Sequence, residues 1–202
     1  MLARIQSSFS MCLFISFWTH EIDSTPPATT MSFSPAMTRC AAIAIVCRPL
    51  EQKRFTVMPL VVIGKPARRV LPKDAADCIF GWTIGNDLTE RDWQRDDPTN
   101  LRGKNADTFK PMGPWIVTGI DPRDMTKNVR LNGKTVHSFP TGNMLFSAAE
   151  VISDVSRYNT LSPRDVVWLG TDEVPHSVKP GDVIEIEITG IGVLRNRVVA
   201  EA

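Results

Sequence analysis

Residues 81–118 read GWTIGNDLTERDWQRDDPTNLRGKNADTFKPMGPWIVT, and this stretch decides the fold. It opens on a strand-like run at residues 80–86, rich in β-branched and aromatic side chains. It closes on a second such run at residues 115–119, ended by Asp121-Pro122. Between the two lie Asp87 at the end of the first strand, then Arg91 and Gln94, then Lys104 and Thr108 after a turn at Gly103. A carboxylate, a guanidinium, an amide and an ammonium are thus gathered between two apolar strands. A core strand has no need of that set, whereas a site for a metal and an anionic substrate does.

Outward from this stretch the chain keeps a regular order. Residues 60–63 are a short, continuous apolar run, which predicts a strand buried on both faces. Gly64-Lys65-Pro66 turns it, and Pro72 starts a helix that holds Ala75, Ala76 and Ile79. Asn132-Gly133 is a hairpin turn between residues 129–131 and 134–136. Apolar residues at 148, 151, 152 and 155 predict an amphipathic helix over 147–158. Residues 165–169 and 183–188 read as strands. The second alternates Val183, Glu185 and Glu187 with Ile184, Ile186 and Ile188, which gives one wet and one buried face. The sum is an α+β domain that is predominantly β.

Before residue 58 the character changes. Ser, Thr, Pro and Met dominate without a sustained period, and only residues 41–47 suggest a short strand. Residues 11–18, MCLFISFW, are too short to span a bilayer and poorly followed for a cleaved leader. The expectation is a cytoplasmic chain with no membrane partner. Charge is balanced, with 23 basic and 22 acidic residues, so no basic excess favours nucleic acid. The four cysteines, Cys12, Cys40, Cys47 and Cys78, lack metal-ligand spacing and read as free thiols.

Six segments resemble the fumarylacetoacetate hydrolase family in order and spacing. They are VVIGKPARRV (61–70), GNDLTERDWQ (85–94), RGKNADTFKPMGPWIVT (102–118), LNGKTV (131–136), LSPRDVVWLGT (161–171) and KPGDVIEIEITGIGVLRN (179–196). The resemblance implies a rolled mixed β-sandwich over residues 59–202, incomplete on its N-terminal side, with residues 1–58 atypical. It implies a homodimer that uses Mg²⁺ or Mn²⁺. The implied chemistry is hydrolysis or isomerisation of 2-oxo (1,3-dioxo) dicarboxylic acids through an enolate, of the 2-hydroxyhepta-2,4-diene-1,7-dioate isomerase type, as in the breakdown of aromatic compounds. Carried over residue by residue, Asp87 is a metal ligand and Lys104 stabilises the enolate. Arg91 clamps a substrate carboxylate, and Gln94, Thr108 and Thr171 line the substrate. No family role maps to His137, His176, Glu185 or Glu187, which read as structural.

The family's Glu-x-Glu ahead of its Val-Val-Ile-Gly strand would complete the metal site. Here Thr56 and Met58 stand at those positions, with Pro59 where an apolar strand residue is expected. Neither side chain replaces an anionic oxygen for a hard cation, so weak metal binding is expected. The family's upstream acid/base histidine and glutamate have no counterpart beyond His20-Glu21, whose spacing is wrong. So abrupt a break fits a change of reading frame or an alternative first exon. The second reading of the chain is therefore a catalytically impaired relative with the same fold.

Overall fold

The structure is a computed structural model that describes residues 53–171 and 175–200, together with the backbone of two short strands at 15–16 and 45–47. Expectations for residues 1–40, His20-Glu21 and the thiols of Cys12, Cys40 and Cys47 lie outside the described residues. In chain order the strands are β1 (Ile15–Ser16), β2 (Ile45–Cys47), β3 (Lys53–Ile63), β4 (Ile79–Glu90), β5 (Met112–Val117) and β6 (Thr126–Leu131). They continue as β7 (Lys134–Pro140), β8 (Val166–Trp168), β9 (His176–Ser177), β10 (Val183–Ile188) and β11 (Gly192–Ala200).

Two sheets form. One runs β1-β8-β3-β4-β5, with β9 also pairing β3; the other runs β2-β11-β10-β6-β7. The pairings are antiparallel except for β2 beside β11, which makes the second sheet mixed. Their inner faces meet in a single core that includes Phe55, Val57, Ile84 and Leu88 from the first sheet and Val129, Ile184, Ile186 and Leu194 from the second. This is the predicted β-sandwich. Among the described residues no helix is long and apolar enough to cross a membrane.

Local chemistry explains the elements that the sequence made plain. Asn132 and Gly133 both adopt positive φ, 53° and 79°, as the two-residue hairpin between β6 and β7 requires. The helix Ala148–Tyr158 opens with a capping box, in which the Ser147 hydroxyl accepts from the Glu150 N–H and Glu150 answers at the Ser147 N–H. Glu185 and Glu187 sit on the half-exposed face of β10 and pair with Arg195 at 3.4 Å and Arg130 at 2.6 Å. His176 packs its ring 5.9 Å from that of Phe55, and Cys78 is a buried free thiol.

Ile79, expected in the helix that Pro72 starts, opens β4 instead. Three further expectations are corrected. The strand expected at 60–63 begins at Lys53, and the strand expected at 80–86 runs on to Glu90. Polar residues continue both strands because each finds a partner across the ladder. At its far end Lys53 and Glu90 are register partners and form a buried ion pair at 3.4 Å. The Lys53 ammonium also lies 5.4 Å and 5.1 Å from the ring centres of Trp93 and Phe109. Asp87 therefore lies inside a strand, not at its end. Thirdly, Gly103 makes no turn: it is helical, within Leu101–Asn105. A Cβ there would lie 3.1 Å from Gln94 Cα, so its role is to let this helix approach the helix Arg91–Arg95.

The buried Lys53–Glu90 pair gives a stability test. Lys53→Met leaves the Glu90 carboxylate buried without its cation and is expected to cost about 3–5 kcal/mol in denaturant unfolding. Lys53→Met combined with Glu90→Leu removes both charges and is expected to recover most of that loss. A single variant as stable as the parent would contradict the pairing.

Candidate functional site

The antiparallel register builds the site in rows across the first sheet. Residues directly opposite one another share a face. Thr56 on β3 is the partner of Asp87 on β4, and Met58 is the partner of Gly85. Beyond β4 the ladder continues into the segment before β5: Leu88 N donates to Phe109 O at 3.2 Å, and Asn86 N donates to Pro111 O at 3.1 Å. These two bonds bracket Lys110 and set it opposite Asp87. The next row ends on Met112, the register partner of Gly85. One row is thus Thr56–Asp87–Lys110, and its neighbour is Met58–Gly85–Met112.

Thr108 makes the chain run back along β4. Its φ is 70°, in the left-handed region that a β-branched residue rarely enters. Lys104 arrives from the other side. It is buried on the helix Leu101–Asn105, with its N–H donating to Asn100 O at 3.1 Å. The result is a carboxylate held from two directions. Lys104 Nζ donates to Asp87 Oδ2 and Lys110 Nζ donates to Asp87 Oδ1, and all three side chains are largely buried. Lys110 also places its ammonium 4.6 Å from the centre of the Trp168 ring.

The other expected residues fall into two hydrogen-bonded groups. Arg91 Nη1 donates to Gln94 Oε1 at 2.7 Å, and Gln94 Nε2 donates to Asn100 Oδ1 at 2.6 Å. Gln94 is thereby pinned against Gly103, next to Lys104. Thr171 lies in the segment after β8. Its hydroxyl accepts from Lys127 Nζ at 3.0 Å, and the same ammonium donates to Val57 O at 2.9 Å. Lys127 is 2% exposed, on the inner face of β6. Behind the triad, Asn86 Nδ2 donates to Asn196 Oδ1 at 3.1 Å and ties β4 to β11 through the core.

Lys110 and Lys127 are not among the residues that the sequence points to. The signal for Lys110 was the alternation Thr108, Lys110, Met112, which puts all three on one face of an extended segment. The signal for Lys127 was the alternation Lys127, Val129, Leu131 running into the hairpin.

Does this donor set fit a hard divalent cation? Such an ion takes several oxygen ligands, with anionic carboxylates foremost. Here both oxygens of Asp87 accept from ammonium groups. Across the row stands the neutral hydroxyl of Thr56, and in the next row the Met58 sulfur accepts from Gly170 N at 3.3 Å. No group of three or more His, Cys, Asp or Glu that could hold a metal occurs among the described residues. The described residues do not fit the ion.

The comparisons with known proteins agree with the fold. Residues 60–199 match the family described as Fumarylacetoacetate (FAA) hydrolase C-terminal. The chain is 34% identical over 188 residues to the 4-hydroxyphenylacetate degradation bifunctional isomerase/decarboxylase of Salmonella dublin, across 90% of this chain and 44% of that one. It is 37% identical over 164 residues to the mitochondrial oxaloacetate tautomerase Fahd2a of Rattus norvegicus, across 75% of this chain and 52% of that protein. The chain thus spans about half the length of these two curated relatives. The crystal structure of 2-hydroxyhepta-2,4-diene-1,7-dioate isomerase from Mycobacterium marinum superposes with a TM-score of 0.76 at 35% identity, covering 80% of this chain and 64% of that one. Isomerases, decarboxylases and hydrolases are all found among the relatives. On the match over residues 60–199 and these identities, the chain belongs to the fumarylacetoacetate hydrolase family.

Proposed function

We propose that the chain binds a 2-oxo dicarboxylic acid and stabilises its enolate, as a hydrolase or isomerase of the kind used in aromatic compound degradation. The observation that carries this reading is the buried triad of Asp87, Lys104 and Lys110. Two ammonium groups against one carboxylate leave a formal positive charge over, in a largely desolvated row. Transfer of a proton from C3 of a 2-oxo acid to solvent water sends the C–H electron pair into the C2–C3 bond and the carbonyl electron pair to the 2-oxo oxygen. A fixed ammonium beside that oxygen stabilises the charge as it develops, and more strongly in a desolvated site than in water. Lys104 takes this role, and Asp87 holds Lys104 in place.

Arg91 and Gln94 are already joined at 2.7 Å and form a ready planar clamp for the distal carboxylate. The Thr171 hydroxyl, fixed by Lys127, serves the near carboxylate. Thr108 closes the turn that brings Lys110 into the row. Enolate formation is common to tautomerisation, isomerisation, decarboxylation and C–C hydrolysis, and the relatives' names include an oxaloacetate tautomerase and an isomerase/decarboxylase. The reading also takes the protein as a cytoplasmic homodimer. Enzymes of the family generally use a divalent metal, and Asp87 would be one of its ligands in a complete site. Thr56 and Met58 favour a second reading, a relative of impaired activity.

Two experiments test the proposal. Enol-to-keto conversion of oxaloacetate, followed by the enol absorbance, is expected to be accelerated by the purified chain. Lys104→Ala is expected to lower kcat by about 10²-fold with a smaller effect on KM, because the enolate charge exists only during reaction. Equal rates with and without protein would overturn the enzyme reading. Thr56→Glu with Met58→Glu supplies two carboxylates beside Asp87 and is expected to strengthen Mn²⁺ binding measured by calorimetry. If the parent is inactive and this variant turns over substrate, the impaired-relative reading stands. If the folded variant gains no Mn²⁺ affinity, the row is not a degraded metal site.

A further inference from the structure

The donor set disagrees with the family's metal, and the disagreement points somewhere. We infer that Lys110 supplies the positive charge of this site, so that the Asp87–Lys104–Lys110 row binds the 1-carboxylate and 2-oxo oxygens of its ligand without a divalent cation. The inference rests on the 2-oxo acid reading and deepens it.

Four observations support it. First, Lys110 is built into the row. The bonds from Leu88 N to Phe109 O and from Asn86 N to Pro111 O fix its backbone opposite Asp87, and the Trp168 ring lies 4.6 Å from its ammonium. Secondly, no buried carboxylate is spare among the described residues. Among the described buried carboxylates, Glu90 is paired with Lys53, Asp165 accepts from Ser162 N at 2.7 Å, and Asp182 is bonded to Asn132 and Lys179. Asp87 alone of these faces the row, and both of its oxygens accept from lysines.

Thirdly, the positions that would carry anionic ligands carry a hydroxyl and a thioether, and the thioether is engaged by Gly170 N. Fourthly, further donors surround the row. Lys127 holds Val57 O, the carbonyl between Thr56 and Met58. The Trp168 Nε1 donor is buried and has no hydrogen-bond partner among the described residues. A dication entering here meets two ammonium groups at Asp87, the one buried carboxylate of the row among the described residues. An anion meets the same two groups as donors. The two lysine ammoniums, which bond the two oxygens of Asp87, offer charge-assisted donors to the paired oxygens of a 2-oxo acid.

Calorimetric titration of the full chain with oxalate, a planar analogue of the enolate's two-oxygen edge, decides between the charges. Titrations are run once in excess chelator and once with added Mn²⁺. The expected result is binding in chelator with an affinity that Mn²⁺ leaves unchanged, and a loss of about tenfold or more for Lys110→Met, the scale of one charge-assisted hydrogen bond. Binding that appears only with Mn²⁺ overturns the inference while leaving the 2-oxo acid reading in place. Oxalate that binds in neither condition overturns both. A folded Lys110→Met, shown by circular dichroism, that binds as the parent does in chelator also overturns it. Should that variant not fold, the chelator comparison on the parent decides alone.

Discussion

All eleven residues of β3 pair with β4, and this ladder sets everything that matters in the site. Side chains alternate faces along a strand, so a slip of one residue would send each of them to the wrong side. In the observed register the inner face carries Phe55, Val57, Val61 and Ile63 opposite Leu88, Ile84 and Trp82, and it packs on the second sheet. The other face carries Thr56, Met58 and Asp87 beside a smaller apolar cluster of Leu60, Val62, Val166 and Trp168. The ladder is pinned at both ends. A buried ion pair closes it at Lys53 and Glu90, and an irregularity between Val62 and Ile63 releases it at the other.

Once the register is fixed, the charges follow. Four lysines are withdrawn from solvent, and each is met by chemistry that suits an ammonium. Lys53 has Glu90 and two aromatic rings, Lys104 has Asp87, Lys110 has Asp87 and Trp168, and Lys127 has a backbone carbonyl and the Thr171 hydroxyl. A buried charge is tolerated only with such compensation. Three of the four gather around residues 56–58 of β3, where the family carries its two glutamates. With a hydroxyl and a thioether at 56 and 58 and lysine ammoniums close by, the charge of the described row favours an anion over a dication, as proposed.

Much of the fold was legible because its signals are local. The Asn132-Gly133 turn, the capped helix after Ser147 and the alternation in β10 each depend on neighbours within a few residues. The contact of Asp87 with Lys104 was legible through the motif they share with the family. Lys110 was not, because it stands between Phe109 and Pro111 and reads as loop; only the two backbone bonds to β4 reveal an extended segment. Lys127 was hidden because the strand was read from Val129, two residues too late to include it. Polar residues likewise shortened the expected β3 and β4, since partners such as Lys53 and Glu90 lie 37 residues apart. Gly103 reads as a turn from its type alone, whereas its need for a bare Cα comes from the packing of a second helix.

As proposed, this row takes an anion through Lys104 and Lys110 and not through a metal on Asp87. Crystals grown with both oxalate and Mn²⁺, with anomalous scattering recorded near the manganese edge, test it most directly. The account predicts oxalate oxygens on the two ammonium groups and no anomalous peak at Asp87. A manganese peak coordinated by Asp87, with Lys110 displaced from the row, would contradict it.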